Sequence, residues 1–385
     1  MSYSILPDYS GNSIVNLMQS LIEGCGGQPS YPGAVALPPP EVAAAGNVVF
    51  SVIDGLGFDW LVAQSGGSCL KHHLRGCLTS VYPSTTATAI TSFMTGMAPC
   101  RHGMVGWYTY LSEVDDVVAV LPGRRRGGEI LETYDPCAMT GLRPVYDRLP
   151  IRSYVIAPQR IARSRFNQAH LGCAKSLTYR TLPEMFDLAA RVLRLARERT
   201  FLYLYWPDLD AVGHEFGIES DEAAKQLHAI DLAFESWLDA IKGSDALVVV
   251  TADHGQFDTR ESDRLVLEAH PELASCLSRP LCGEPRAVYC HLHPHSHDRF
   301  MTYLEHHLGE YLTCHPTAEL VRDGWFGLGV SHPSLLQRIG DYVLVMKDRY
   351  VLKDWLPGER RYTQIGVHGG TSAAEMRVPL LVARA

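Results

Sequence analysis

Five apolar runs punctuate the chain: NVVFSVID (47–54), CLTSVY (77–82), RSYVIA (152–157), FLYLYW (201–206) and ALVVVTA (246–252). Each is strand-sized and lacks the polar alternation of a half-exposed strand, which fits strands buried on both faces of a sheet. Between the later runs lie PEMFDLAARVLRLARERT (183–200) and DEAAKQLHAIDLAFESWLDAIKG (221–243), where apolar residues recur at helical spacing. Strands alternating with long amphipathic helices predict an α/β fold, with a central, mostly parallel sheet between helices. The Pro/Gly-rich stretch 27–46 reads as a meandering lead-in.

From about 265 to 345 the rhythm changes to RAVYCHL, HDRFMTYLEHHLGEYL and DYVLVMKDRYVL. This predicts a small α+β insertion that caps the site or lies beside it. The expected organisation is a discontinuous main domain, 1–264 and 346–385, interrupted by the insertion 265–345. The main pattern closes with the strand-like VPLLVARA.

Composition narrows the function classes. Of 385 residues, 46% are hydrophobic and 20% charged, with a net charge of −8. An acidic chain with one concentrated basic run, Arg124–Arg126, lacks the broad basic face that duplex nucleic acid requires. That run reads as a solvated loop. The ten cysteines form no CxxC pair, so free thiols are expected rather than a disulfide framework. The opening MSYSILPDYSGNS shows no basic segment followed by an apolar core, and the apolar runs are too short to span a bilayer. A cytoplasmic protein acting on a small molecule is the resulting expectation.

Candidate chemistry sits where the runs end. Asp54 closes the first; Asp208, Asp210 and His214 follow the fourth; Asp253 and His254 follow the fifth; His368 lies in IGVHGG. A lone Asp after a strand is commonly a helix cap. A parallel sheet, however, gathers its carboxyl ends into one crevice, and carboxylate plus imidazole is a zinc-type donor set. Six such groups would hold two ions, and a pair about 3.5–4 Å apart suits in-line displacement at phosphorus. The hydroxyl-rich stretch YPSTTATAITSFMTG (82–96) opens a helix, whose positive end favours an anion.

In these motifs and their order the chain resembles the alkaline phosphatase superfamily, and within it the type I phosphodiesterase/nucleotide pyrophosphatase family. The resemblance covers about 47–265 and 366 to the end. It implies an alkaline-phosphatase-like sandwich and a metal-dependent hydrolase of phosphodiester or phosphoanhydride bonds, working through a threonyl-phosphate or nucleotidyl intermediate. Pro83-Ser84-Thr85-Thr86, with Thr95-Gly96 closing the helix, matches the nucleophile segment and implies Thr86. Asp210-Ala211-Val212-Gly213-His214 matches Asp-x-x-Gly-His, so Asp210 rather than Asp208 joins His214 and His368 on one metal. Asp54, Asp253 and His254, with the Thr86 oxygen, are implied for the other. Zinc is the first choice and manganese the alternative. Thr85 and Thr88 are left to local helix-start hydrogen bonding.

One departure bears on substrate. Where the nucleotide pyrophosphatase branch commonly carries an Asn that donates to the phosphoryl oxygen, HGMVGW aligns Trp107. Trp107 reads equally as a stacking platform or a pocket wall. The histidines of CHLHPHSHD (290–298) read as a solvent-facing strand edge leading into a helix rather than a third metal site. A phosphomonoesterase or phosphomutase of the same superfamily is the rival activity, with Arg101 and Arg124–Arg126 as candidate cations for the extra charge. A non-catalytic metal-binding module is the rival from another class.

Overall fold

The computed structural model describes residues 4–359 and 361–385. Its centre is a seven-stranded sheet, ordered Leu74–Thr79, Arg377–Arg384, Ala246–Thr251, Asn47–Ile53, Thr200–Trp206, Arg152–Pro158, Lys175–Tyr179. The Asn47–Ile53 strand pairs in parallel with both Thr200–Trp206 and Ala246–Thr251, and Arg152–Pro158 pairs in parallel with both of its neighbours. Arg377–Arg384 runs antiparallel to its two neighbours. The central strands are buried along nearly their whole length, as continuous apolar runs require. The run at 77–82 differs from expectation. Its strand is Leu74–Thr79, and the chain leaves the sheet at Ser80, whose hydroxyl donates to the Asp253 carbonyl.

The two long helices form as Leu182–Leu195 and Asp221–Ala240, capped by the hydroxyls of Thr181 and Ser220. Phe186, Phe234 and Trp237 pack together between them. The architecture is thus the α/β sandwich that the periodicity predicts.

A second seven-stranded sheet, antiparallel throughout, runs Leu312–Pro316, Tyr342–Met346, Ala287–Cys290, Cys282–Glu284, Tyr108–Leu111, Asp116–Ala119, Arg124–Arg125. It joins strands from 282–346 to a meander at 108–125, through the pairing of Gly283 with Tyr108. The second sheet is therefore shared between the 265–345 segment and the loop that follows the hydroxyl-rich helix. No described helix is long and apolar enough to cross a membrane. All ten cysteines are free.

Candidate active site

Strand register places the candidate ligands. Ile53 pairs with Trp206 and Val52 with Thr251, so the residues just beyond emerge side by side at one edge. Asp54 follows the first strand. The Asp208–Phe216 helix follows the second and carries Asp210 and His214 one turn apart, on one face. Asp253 and His254 follow the third. His368 follows the short strand Gly366–Val367, which pairs with Phe257–Asp258.

These side chains form two adjoining groups. In one, His214 Nε2 lies 3.2 Å from Asp210 Oδ2 and 3.3 Å from His368 Nε2. His368 Nε2 is also 3.8 Å from Asp210 Oδ1. In the other, His254 Nε2 lies 3.5 Å from Asp54 Oδ1 and 3.4 Å from Asp253 Oδ2. The rings of His254 and His368 stack with centroids 3.7 Å apart, joining the groups. Asp208 stays outside, on the surface with Arg160.

Each imidazole is aimed from behind. His214 Nδ1 lies 2.8 Å from the Gly366 carbonyl, His368 Nδ1 3.1 Å from that of Ser84, and His254 Nδ1 3.2 Å from that of Gly255. A ring N–H donated to a carbonyl leaves the Nε2 lone pair pointing into the cluster, as metal-ligating histidines require. The carboxylates are held likewise: Tyr205 donates its hydroxyl to Asp54 Oδ2, and the Gln256 amide donates to Asp210 Oδ1. Gly213 makes room for that amide, since a Cβ there would lie 2.0 Å from Gln256 Oε1.

The donor set fits divalent cations. Burial, then the neighbouring charges of Asp253 and Asp210, push the Asp54 carboxyl well above the usual range. Burial, then His254 and His214, hold His368 well below its usual value, so it is a neutral imidazole with a lone pair to give. Asp253 Oδ2 is buried without a hydrogen-bond partner among the described residues. A buried carboxylate oxygen without a donor is costly, and a cation between these oxygens and nitrogens supplies the missing partner.

Thr86 begins the Thr86–Thr95 helix, which ends at Gly96 with φ 64°. Its Oγ1 lies 3.0 Å from His254 Nε2 and 3.5 Å from Asp54 Oδ1. Its neighbours face elsewhere. Ser84 donates to the Gly370 carbonyl at 2.8 Å. Thr85 corrects the local reading: it is the N-cap by position, yet its hydroxyl makes no cap bond and donates instead to Glu284 Oε1 at 2.7 Å. Thr88 makes no helix-start bond either; its buried hydroxyl has no partner among the described residues.

Sequence reasoning missed Glu284. The second sheet brings it to the Ser84–Thr86 stretch, and its Oε1 also accepts the Trp107 backbone N–H at 2.7 Å. Burial pushes its carboxyl up to about 7 against the opposing effect of those two bonds. Gln256 directly follows the Asp-His-Gly motif, which is the only local signal for it; Tyr205 lies hidden in an apolar run.

Two cavities meet over Thr86, Trp107 and Asp210. One, of about 250 Å³, runs under the second sheet past His214, His368, Glu284, Lys353, Trp355 and Tyr362. The other, of about 550 Å³, is lined by Ile90, Met94, Phe166, Tyr203 and Tyr205, with Arg163 among its polar groups. Trp107 borders both and is a shared wall.

The basic run is not uniformly solvated. Arg126 is buried, with ion pairs to Asp354 at 2.7 Å and Glu359 at 3.4 Å, because the second sheet folds it under the 354–359 loop. Arg101 bonds the Val330 carbonyl, away from both cavities. In CHLHPHSHD, His293, His295 and His297 are exposed, whereas His291 is buried against Tyr110. Metal-type clusters among the described residues occur only at the strand-end site.

The family model of type I phosphodiesterases/nucleotide pyrophosphatases matches residues 49–371. A sequence comparison with curated proteins finds no match. Among solved structures, the chain is similar to murine ectonucleotide pyrophosphatase/phosphodiesterase 5, an inactive variant in complex with AMP. That likeness covers 86% of this chain and 87% of the murine one, at TM-score 0.65 and 15% identity. The chain is also similar to phosphonoacetate hydrolase from Sinorhizobium meliloti 1021 in complex with phosphonoformate. There it covers 88% of this chain and 90% of the other, at TM-score 0.64 and 19% identity. At such identities the likeness to these structures is one of fold.

Proposed function

The chain belongs to the type I phosphodiesterase/nucleotide pyrophosphatase family, and from that premise we propose that it hydrolyses phosphodiester or phosphoanhydride bonds with Thr86 as nucleophile. The observation that carries this reading is the seat of Thr86: a half-buried hydroxyl at a helix start, 3.0 Å from His254 Nε2, where two cavities meet. Asp210, His214 and His368 would hold one divalent cation; Asp54, Asp253 and His254, with Thr86, the other. Bound there, zinc-type ions supply the positive charge that favours an ionised threonine hydroxyl and a departing oxygen.

The residues divide the remaining work. Thr86 Oγ1 forms a bond to phosphorus as the bond to the departing oxygen breaks, and water then hydrolyses the phosphothreonine. Tyr205 and Gln256 fix Asp54 and Asp210, so the ligand carboxylates stay in place while charge develops. Two cavities give the two organic arms of a diester, or the two halves of an anhydride, separate places. A monoester would leave one of them unused. The AMP of the murine structure and the phosphonoformate of the bacterial one support a small phosphoryl or phosphonyl ligand. Ten free thiols support a reducing, cytoplasmic setting.

The test is turnover of an aryl phosphodiester and the matching aryl monoester by metal-stripped protein, before and after zinc is restored. Diester turnover that exceeds monoester turnover and appears only with metal is expected. Monoester preference would overturn the diester reading, and full activity without metal would overturn the two-metal reading.

A further inference from the structure

The smaller cavity contains a cation that nothing in the proposed mechanism uses. Lys353, at the end of the Val351–Lys353 strand, lines its wall. The Lys353 ammonium lies 3.1 Å from the Gln364 side-chain amide oxygen and faces the rings of Tyr362 and Trp355, at 5.3 and 5.7 Å from their centroids. It makes no ion pair among the described residues. The acids around it are committed elsewhere: Asp354 and Glu359 serve Arg126, and Glu284 Oε1 takes both Thr85 and Trp107. Arg264, which donates to the Gln364 carbonyl at 3.1 Å, adds a second positive charge nearby. Burial first, then Arg264, depress the Lys353 ammonium to about 8, with Glu284 opposing.

Position gives this cation its use. The Gln364 side chain also lies 3.2 Å from His214 Nδ1, so a single amide separates Lys353 from a candidate metal ligand. A half-buried ammonium whose hydrogen-bond acceptor among the described residues is a neutral amide oxygen gains most from a full negative charge. We infer that Lys353 is a specificity residue for a leaving group that carries a second anionic centre, a carboxylate or phosphate, held in the cavity beneath the second sheet. The inference rests on the phosphodiesterase reading for its term "leaving group", but the site itself is tested by binding alone. A charge-assisted contact of this kind is worth about ten- to hundredfold in affinity or in kcat/KM.

Two series of probes test it on the zinc-loaded, full-length protein. The first comprises 3-carboxyphenyl, 3-carbamoylphenyl and 3-phosphonooxyphenyl phosphonates, with affinity read by calorimetry. The second comprises methyl aryl phosphodiesters releasing the corresponding phenols, with kcat and KM read by turnover. The wild type should favour the anionic members over the neutral carboxamide about ten- to hundredfold, and the carboxylate and phosphate arms show which anion fits. Lys353→Gln should erase the preference by weakening the anionic members far more than the carboxamide, and Lys353→Arg should restore part of it. Equal binding of charged and neutral probes by the wild type, or an undiminished preference in Lys353→Gln, would overturn the inference. An anionic preference in binding without turnover of any diester would uphold it and overturn the proposed hydrolysis.

Discussion

The two sheets contribute to the site in different ways. The central sheet delivers its groups from strand ends: Asp54, Asp253 and His254 lie just beyond buried runs and Asp210 and His214 on the helix that follows another, and strand register sets these ends side by side. The antiparallel sheet delivers Glu284, and the Val351–Lys353 strand, paired with Arg264–Val266, delivers Lys353 and leads into the segment that carries Trp355 and Tyr362. On the proposed reading, the first arrangement builds a centre that would act on any phosphoryl group. The second would then supply the walls that choose what is attached to it. If that division holds, changes at the strand ends should lower turnover of every substrate alike, whereas changes in the walls should alter the ranking of substrates.

The largest effect should come from the strand-end side. Removal of metal by chelation should abolish turnover of all substrates, and zinc should restore it, as followed by activity and metal analysis together. Next is Thr86→Ala, which should fold, retain metal and lose about a thousandfold or more in kcat, because a well-placed nucleophile is gone. Thr86→Ser should keep part of the activity. Survival of near wild-type kcat in Thr86→Ala would break the comparison at its strongest point.

A smaller effect is expected behind the ligands. Tyr205→Phe and Gln256→Ala should weaken metal binding about ten- to hundredfold, since they remove the groups that orient Asp54 and Asp210. Competition with a metal indicator would measure this. Across the divide, Glu284→Ala should cost about 1–3 kcal/mol of stability, because it leaves the Thr85 hydroxyl and the Trp107 N–H without an acceptor. Glu284→Gln keeps an acceptor oxygen and should melt nearer the wild type.

How much of this was legible in the sequence follows the same division. The α/β sandwich and the two long helices could be read, because buried strands and amphipathic helices leave periodic patterns. The residues that cluster at the strand ends could be named because they are adjacent to those patterns. Lys353 and Glu284 could not: each is an ordinary charged residue until its strand pairs with a distant segment, Lys353 with Val266 and the Glu284 strand with Tyr108. Arg126 misled for the same reason. Three arginines between glycines look solvated, and only Asp354 and Glu359, more than two hundred positions later, reveal that one is buried. Thr85 reads as a cap because its position is one; its hydroxyl follows Glu284 instead.

The smallest effect sharpens the comparison through pH. The Lys353 ammonium, depressed to about 8, is present below that pH and lost above it. Glu284 in the same cavity, pushed up to about 7, gains its negative charge first, so the ratio of kcat/KM for anionic over neutral leaving groups should be full below about pH 7 and decline as pH rises through about 8. A ratio that stays flat to pH 10 would place the preference on a different cation.

The central claim, that Thr86 takes the phosphoryl group before water does, is tested most directly by stereochemistry at phosphorus. A diester made chiral by one sulfur is hydrolysed in ¹⁸O-labelled water, and the configuration of the product is determined. Each in-line displacement inverts phosphorus. Attack by Thr86 followed by attack by water therefore predicts overall retention. Inversion would show a single displacement by water and would contradict the account.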